Sequence, residues 1–209
     1  MSMNKIYRLI FFLQVFLLGC TPRVINENEI TKKINSLDLN IFAKTGEKKY
    51  SIKSPYSIYD NIKNKFQFKN TTINIFYDGK TKYVINSDES TLSNKNNLVE
   101  LIGNVRLKTI DQDDDYLYAD YFMWNIDEAK YLLTGDVRFE NKNVILTSVK
   151  AVLGSDNVIE FFDPVKYIIK DDNNENIYET NSENAYYDMN KESLSFKAKD
   201  KRVRSRIYF

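Results

Sequence analysis

A short motif returns five times along this chain, at intervals of roughly 30 residues. Each copy has a small residue, a second residue three positions later, an aromatic or aliphatic residue two further on, and then a residue that favours a turn. The five copies are Ser54, Ser57, Tyr59, Asp60; Ser87, Ser90, Leu92, Ser93; Ala119, Phe122, Trp124, Asn125; Ser148, Ala151, Leu153, Gly154; and Ser182, Ala185, Tyr187, Asp188. Self-similarity at a fixed period is typical of a stack whose units bury their apolar faces against neighbours. The period therefore predicts a stack rather than a catalytic globule.

A second motif follows the first in each unit and has the alternation of a half-buried strand. Its clearest copies are Gly103–Leu107 and Gly135–Phe139, in which apolar residues alternate with polar or charged ones. Ile73, Val165 and, less regularly, Val203 take the place of the valine in the other units. A period of two predicts strands. An ordinary antiparallel sandwich is the alternative, but fixed spacing over five units favours the repeat.

The amino terminus has the order of an export signal. Lys5 and Arg8 precede an apolar run, Leu9–Leu18, and the small residue Gly19 comes directly before Cys20. The sequence Leu-Leu-Gly-Cys resembles a lipobox, so we expect cleavage before a diacylated Cys20. The alternative, an uncleaved membrane anchor, requires about 20 apolar residues, roughly twice the length of this run.

The sequence divides into a signal peptide over residues 1–19, a lipidated Cys20 with a polar tether to residue 40, and one β domain over residues 41–209. Within the tether, Ile30, Ile34 and Leu37 have helical spacing, so a short helix and a loose tether both stay open. Cys20 is the sole cysteine, which excludes an internal disulfide. Stability of the domain must therefore come from burial.

The charge balance argues against a nucleic-acid partner. The chain has 30 Lys and Arg against 29 Asp and Glu, and phosphate neutralisation needs a basic surplus. One local exception is the carboxyl-terminal strand, where three arginines share one face. Its residues, which we expect to form a docking edge for a partner, are Arg202, Val203, Arg204, Arg206 and Ile207. The alternative is an edge strand whose charges only discourage aggregation.

Residues for catalysis are scarce in this sequence. The chain has no histidine, so a serine triad, a Cys-His pair and the commonest metal ligand are all excluded. The acidic residues Asp111, Asp113 and Asp115 resemble the start of a calcium loop, but its sixth and twelfth positions are Tyr116 and Phe122. We expect no metal, no cofactor and no enzymatic activity. A pair of carboxylates for glycoside hydrolysis stays open, although no spacing singles one out.

Strand-like runs separated by turn residues predict a single all-β domain of stacked antiparallel strands. If each unit gives strands to two facing sheets, the inward residues line an apolar groove along the stack. Those of the central units are Leu101, Val105, Leu107, Phe122, Trp124, Leu133, Val137 and Phe139. Ala119 and Trp124 are five residues apart and would point to opposite faces, so we expect a β-bulge between them. The alternative is a fully packed core with no groove.

These two motifs, together with the amino-terminal signal, resemble the LptC family and its relatives LptA and the periplasmic part of LptD. The resemblance covers residues 41–209 and is sharpest over residues 83–153. It implies an open, twisted β-jellyroll that binds lipopolysaccharide, or a related glycolipid, by its acyl chains. It also implies two kinds of protein partner, the membrane subunits of an ABC transporter (LptF/LptG-like) and an LptA-like β-jellyroll protein.

The family resemblance implies a location at the periplasmic face of the inner membrane. The best-known LptC proteins use a transmembrane helix where this chain has Cys20, which leaves the outer membrane as an alternative. Two other functions stay open, a periplasmic lipoprotein scaffold with a closed β core and a surface-acting glycosidase or lyase.

Overall fold

A computed structural model of the chain describes residues 31–95, 97–110, 115–200 and 202–208. The signal peptide and Cys20 lie outside the described residues, and so do Asp111 and Asp113. Every regular element of the described part is a β-strand. The strands are β1 (Thr31–Phe42), β2 (Lys48–Asp60), β3 (Lys65–Tyr77), β4 (Lys80–Ser93), β5 (Leu98–Thr109), β6 (Tyr116–Asn125), β7 (Lys130–Asn141), β8 (Val144–Leu153), β9 (Val158–Lys170), β10 (Asn176–Asp188), β11 (Ser193–Lys197) and β12 (Arg204–Ile207).

The strands form one antiparallel sheet in which neighbours in sequence pair from β1 through to β11, and β12 pairs with β10. The predicted all-β stack of antiparallel strands is therefore confirmed. Each repeat is one hairpin, because the first motif lies on the even-numbered strands β2 to β10 and the second on the odd-numbered strands β3 to β9. The expected two facing sheets are in fact a single sheet that folds back on itself.

Each long strand bends near its middle. The ladder shifts register at the bend, for example between Tyr118 and Tyr121 of β6 where it pairs with β7. Leu117 and Ala119 point inward before the bend, and Phe122 and Trp124 point inward after it. The inward face of β6 therefore changes from odd to even positions where its ladders with β5 and β7 shift register. The bulge expected between Ala119 and Trp124 is confirmed.

Serine hydroxyls bond to the backbone at these bends. A backbone carbonyl that lacks a ladder partner at a bend needs another donor, and Ser54 Oγ lies 2.6 Å from the carbonyl oxygen of Tyr56. The same bond, from serine to the carbonyl two residues on, joins Ser148 to Lys150 at 3.0 Å and Ser182 to Asn184 at 2.9 Å. The small first residue of the motif therefore leaves room on the inside of the bend. In these three copies, the serine hydroxyl also donates a hydrogen bond to a backbone carbonyl.

A substitution at Ser54 tests this role. We expect Ser54→Ala to lower the free energy of unfolding by about 1–2 kcal/mol, because backbone groups of Tyr56 and Lys69 lose their hydroxyl partner. Ser57 in the same strand provides the control, since its Oγ is buried with no hydrogen-bond partner among the described residues. Ser57→Ala is therefore expected to be neutral or stabilising in denaturant unfolding. Equal losses in the two variants would contradict the assigned role of Ser54.

Two of the odd-numbered strands bend at the Gly-Asn and Gly-Asp pairs. Gly103 and Asn104 have φ of 76° and 46°, and Gly135 and Asp136 have φ of 75° and 42°. This left-handed conformation suits glycine, and asparagine and aspartate tolerate it. These pairs are therefore bends within β5 and β7, not the hairpin turns that such dipeptides usually form.

The bends divide the sheet into two layers. The first layer contains the amino-terminal halves of the even-numbered strands, the carboxyl-terminal halves of the odd-numbered strands from β1 to β9, and β12. The second layer contains the other halves and β11. Rings from the two layers meet in the interior, as Tyr50 of β2 and Trp124 of β6 do at 5.0 Å between centroids. The core therefore lies between the layers.

β1 corrects the predicted tether. Residues 31–40 belong to this strand, which pairs with β2, so the domain begins ten residues earlier than expected. Ile34 pairs with Ser57 and Leu37 with Ser54, while Ser36 between them has a φ of 55°. The spacing of three that resembled a helix is instead the spacing of a strand bend.

The last unit also departs from the predicted pattern. Its odd-numbered strand is interrupted, with β11 and β12 pairing to different halves of β10. Val203 lies before β12 and is 41% exposed, whereas Ile73 and Val165 in earlier units are buried. The assignment of Val203 to the second motif is therefore wrong.

Candidate functional site

The eight predicted groove residues all lie in the interior. Leu101, Phe122 and Leu133 are direct cross-strand neighbours in the second layer, and Leu107 and Phe139 flank Leu117 in the first. Each of the eight has at most 5% of its surface exposed. In this conformation they form packed core, with the two layers closed over them.

Four aromatic residues with polar tips form one cluster within this interior. Tyr50 and Trp124 meet edge to face, the rings of Trp124 and Tyr131 stack with centroids 5.8 Å apart, and Tyr83 lies 6.5 Å from Tyr131. Burial raises the pKa of Tyr50. The pKa of Tyr131 is also raised, chiefly by burial and in addition by the nearby Tyr83. Both hydroxyls therefore stay protonated and can donate hydrogen bonds. Trp124 Nε1 is buried without a hydrogen-bond partner in the described part of the chain.

The sequence predicted only Trp124 of these four residues. Tyr50, Tyr83 and Tyr131 each lie two positions before a buried aliphatic residue of the same strand, so period two marks them as inward. Their convergence on Trp124 follows from how the layers cross, which strand periodicity does not report.

A cleft of about 770 Å³ opens beside this cluster. One wall belongs to β3 and β4, with Ile75 and Tyr83, and the other includes Tyr131, Leu153 and Met189. The charged side chains that line it are Asp78, Lys80 and Lys82. This volume lies within the range of small-molecule sites, which are mostly apolar with a few polar groups.

A smaller cavity of about 170 Å³ lies further along the interior. Phe139, Leu146 and Tyr167 line one side, and Tyr187 and Leu194 line the other. Phe139 lies 4.8 Å from the ring of Tyr187, whose pKa is raised to about 12 chiefly by burial. The nearby carboxylates of Asp115 and Glu192 raise it further. One predicted groove residue, Phe139, thus borders an accessible space.

The predicted docking edge lies at the end of the sheet. Arg204, Arg206 and Ile207 belong to β12, while Arg202 and Val203 precede it, and all five are exposed. Arg206 lies opposite Glu179 of β10. A hydrogen bond from Asn181 lowers the pKa of Glu179, and Lys166 and Arg206 lower it further. Alternating charges therefore cover the outer face of this edge.

The described residues provide neither a cluster of metal ligands nor a membrane-spanning helix. No group of three or more His, Cys, Asp or Glu side chains within residues 31–95, 97–110, 115–200 and 202–208 is placed to hold a metal ion. Nor does this part of the chain contain a helix with the length and apolar character needed to cross a bilayer.

The fold and interior define a class of protein, a bent antiparallel β-stack that encloses an apolar core between two layers. A family model described as lipopolysaccharide-assembly, LptC-related, matches residues 9–151. The chain therefore belongs to the LptC family, and this membership gives it a role in lipopolysaccharide transport. The predicted family is confirmed.

Among solved structures, the chain is similar to LptH from Pseudomonas aeruginosa, described as the LptA-homologous periplasmic component of the lipopolysaccharide transport device. The two share 13% sequence identity with a TM-score of 0.49, over 60% of this chain and 94% of LptH. No curated protein matches the chain by sequence.

Proposed function

We propose that this protein is a membrane-anchored periplasmic component of lipopolysaccharide export, which binds acyl chains between its two β layers. It receives them from an LptF/LptG-like ABC transporter and passes them to an LptA-like protein. Acylated Cys20 would hold it at the periplasmic face of the inner membrane. The observation that carries the proposal is the apolar interior, which both layers line and which reaches the surface at a cleft of about 770 Å³.

Entry of an acyl chain requires the layers to part. Each methylene moved from water into an apolar interior contributes about 0.8 kcal/mol, so a long chain replaces the lost contacts between the layers. The layers are joined through the bends of individual strands, and the sheet hydrogen bonds run within each layer. Separation at the cleft therefore does not require these hydrogen bonds to break. Binding of acyl chains in an apolar interior does not by itself move the lipid in one direction. The ABC transporter therefore supplies the direction of transport.

Photo-crosslinking from Trp124 in cells tests this function. A photoreactive residue at Trp124 is expected to give a lipopolysaccharide adduct that depends on the ATP supply of the cell. The same residue at Ile62, which is 74% exposed and lies away from the cleft, is the surface control and is expected to give much less. If the variant folds as the wild type does and gives no adduct at Trp124, the result would favour the alternative function, a scaffold with a closed core. The burial of the groove residues is also consistent with that alternative.

The sheet edges are the proposed contacts with the protein partners. Strand addition at an exposed edge uses backbone hydrogen bonds, so each end of the sheet can extend into a neighbouring domain. We place the transporter subunits at the β1 end and the LptA-like protein at the β12 end. At the latter, the amide of Tyr208 donates to the carbonyl of Ile177 in β10. Along a strand, the backbone amides of successive residues point to opposite sides. Because the amide of Tyr208 points toward β10, the amide of Ile207 points away from it.

Proline at Ile207 is expected to weaken binding of an LptA-like partner roughly tenfold, because it removes an outward amide, while leaving the isolated domain folded. Ile207→Ala keeps that amide and is the matched control, with binding measured by titration and folding by denaturant unfolding. Equal affinity of the two variants for the partner would contradict docking at this edge.

A further inference from the structure

Lys82 lies at the mouth of the cleft and bridges the two layers. Its Nζ donates to Asn157 Oδ1 at 2.8 Å, between residues 75 positions apart in the chain. Lys82 belongs to β4 in the first layer, whereas Asn157 belongs to the turn between β8 and β9 at the rim of the second layer. This hydrogen bond therefore joins the two sides of the cleft where they would have to separate.

A β-bulge places Lys82 in this position. Tyr83 pairs with Ile75 and Thr81 with Phe76, so Lys82 is the extra residue of the ladder. Bulges often redirect a side chain away from the sheet alternation. The ammonium group lies 5.2 Å from the ring of Tyr83, a wall of the cleft, which keeps it over the opening.

The charge at the mouth favours an anionic group. Among the described residues that line the cleft, the charged side chains are Lys80, Lys82 and Asp78. Asn157 gives Lys82 a neutral amide oxygen, whereas a phosphate oxygen adds the attraction of an opposite charge to the hydrogen bond. A phosphate at the mouth would therefore displace Asn157 as the partner of Lys82.

The interior behind the mouth suits the apolar part of the same molecule. Tyr131 lines the cleft and stacks on Trp124, so the wall leads directly to the aromatic cluster. The unpartnered Nε1 of Trp124 is a buried donor, and such a group usually marks a missing acceptor. The ester or amide carbonyl at the head of an acyl chain is an acceptor of this kind.

We propose that this cleft is a side entrance for one acyl chain of a phosphate-bearing lipid, and that the bond between Lys82 and Asn157 holds it closed until the phosphate takes the place of Asn157. The inference rests on the proposed function and adds the place of entry, the headgroup chemistry and the residue pair that controls access.

Substitutions at Asn157 can either strengthen or remove the bond to Lys82 without straining the backbone. Its φ is 61°, a value that aspartate and glycine both accept. Asn157→Asp turns the bond into an ion pair and closes the mouth more firmly, whereas Asn157→Gly removes it. Asn64 is the matched control, because it also lies in a turn of the second layer with a φ of 49° and bonds only within that layer, to Tyr59 and Asn94.

Trp124, the sole tryptophan of the chain, provides the measurement. The full chain in lipid nanodiscs is titrated with an alkyl phosphate whose chain carries bromine, a contact quencher of tryptophan fluorescence, and with an alkyl maltoside of the same brominated chain. We expect the half-saturating concentration of both probes to rise roughly fivefold in Asn157→Asp and to fall roughly fivefold in Asn157→Gly, the size of one hydrogen bond. Asn64→Asp should match wild type.

The neutral maltoside separates closure from simple repulsion, because an added carboxylate repels only the phosphate. Lys82→Met is expected to remove the preference of the wild type for the phosphate probe. If Asn157→Asp and Asn64→Asp bind both probes as wild type does, the closure is overturned and the interior remains a lipid site. If no variant shows quenching, including Asn157→Gly, the proposed function fails together with the inference.

Discussion

Replacement of Gly135 by alanine is expected to lower the free energy of unfolding by roughly 3 kcal/mol, from backbone strain and a steric clash together. A Cβ at Gly135 would lie 2.6 Å from Asp120 Oδ2 and 2.9 Å from Asp120 Cβ, across the bend between β6 and β7. The carboxylate can rotate away, but the Cβ of Asp120 moves only with its strand. Because the φ of 75° is also unfavourable for alanine, both effects act at this position.

Gly79 provides the matched control for this prediction. It has the same φ of 75°, but no atom lies within 4 Å of the position of its Cβ. Gly79→Ala is therefore expected to cost only the backbone strain, about 1 kcal/mol. Gly103 should fall between the two, since the nearest Asp88 atoms are 2.9 Å and 3.3 Å away. Denaturant unfolding that ranks the three glycines in another order would contradict close packing at the bends.

Truncation of Phe122 to alanine is expected to cost about 4 kcal/mol, the range for a large aromatic side chain in a well-packed core. Phe122 has 0% of its surface exposed, pairs with Leu101 and Leu133 on either side, and lies 5.8 Å from the ring of Tyr131. Its removal leaves a cavity that the flanking strands can fill only by moving toward each other against the sheet ladder.

Phe42 is the control for this truncation, as a phenylalanine of β1 that is 57% exposed. Phe42→Ala is expected to change the free energy of unfolding by about 0.5 kcal/mol or less. The fluorescence of Trp124, next but one to Phe122 in β6, reports unfolding in both variants. A loss at Phe122 as small as that at Phe42 would indicate that the interior is loosely packed at rest, as in an open groove.

The two repeated motifs explain why so much of the fold was predictable. The small residue of the first motif and the residue three positions later both point inward, as Ser148 and Ala151 do in β8, because the strand bends between them where its ladders shift register. The same spacing in β1, between Ile34 and Leu37, suggested a helix, since a bend in a strand and one turn of a helix both return a side chain to the same face. Only the pairing with β2 distinguishes them.

The predicted groove residues face inward as expected, and their role as a lipid-binding site stays a prediction. Period two marks Leu101 and Val137 as inward, and both are buried. It contains no information on whether the space between the layers is filled, and in this conformation it is filled around these residues. The aromatic cluster at Trp124 and the cleft beside Tyr83 lie where the two layers diverge, which is a property of the sheet as a whole.

The sequence by itself determined the strands from β2 to β10, their inward faces and the family to which the chain belongs, because each of these follows from the local spacing of residues. Only the tertiary structure decided which residues meet across the interior. Tyr50 of β2 contacts Trp124 of β6, and Lys82 of β4 contacts Asn157 beyond β8, several strands away in the sheet order. That offset arises from the accumulated twist of a bent sheet, to which every strand contributes and which no single segment specifies.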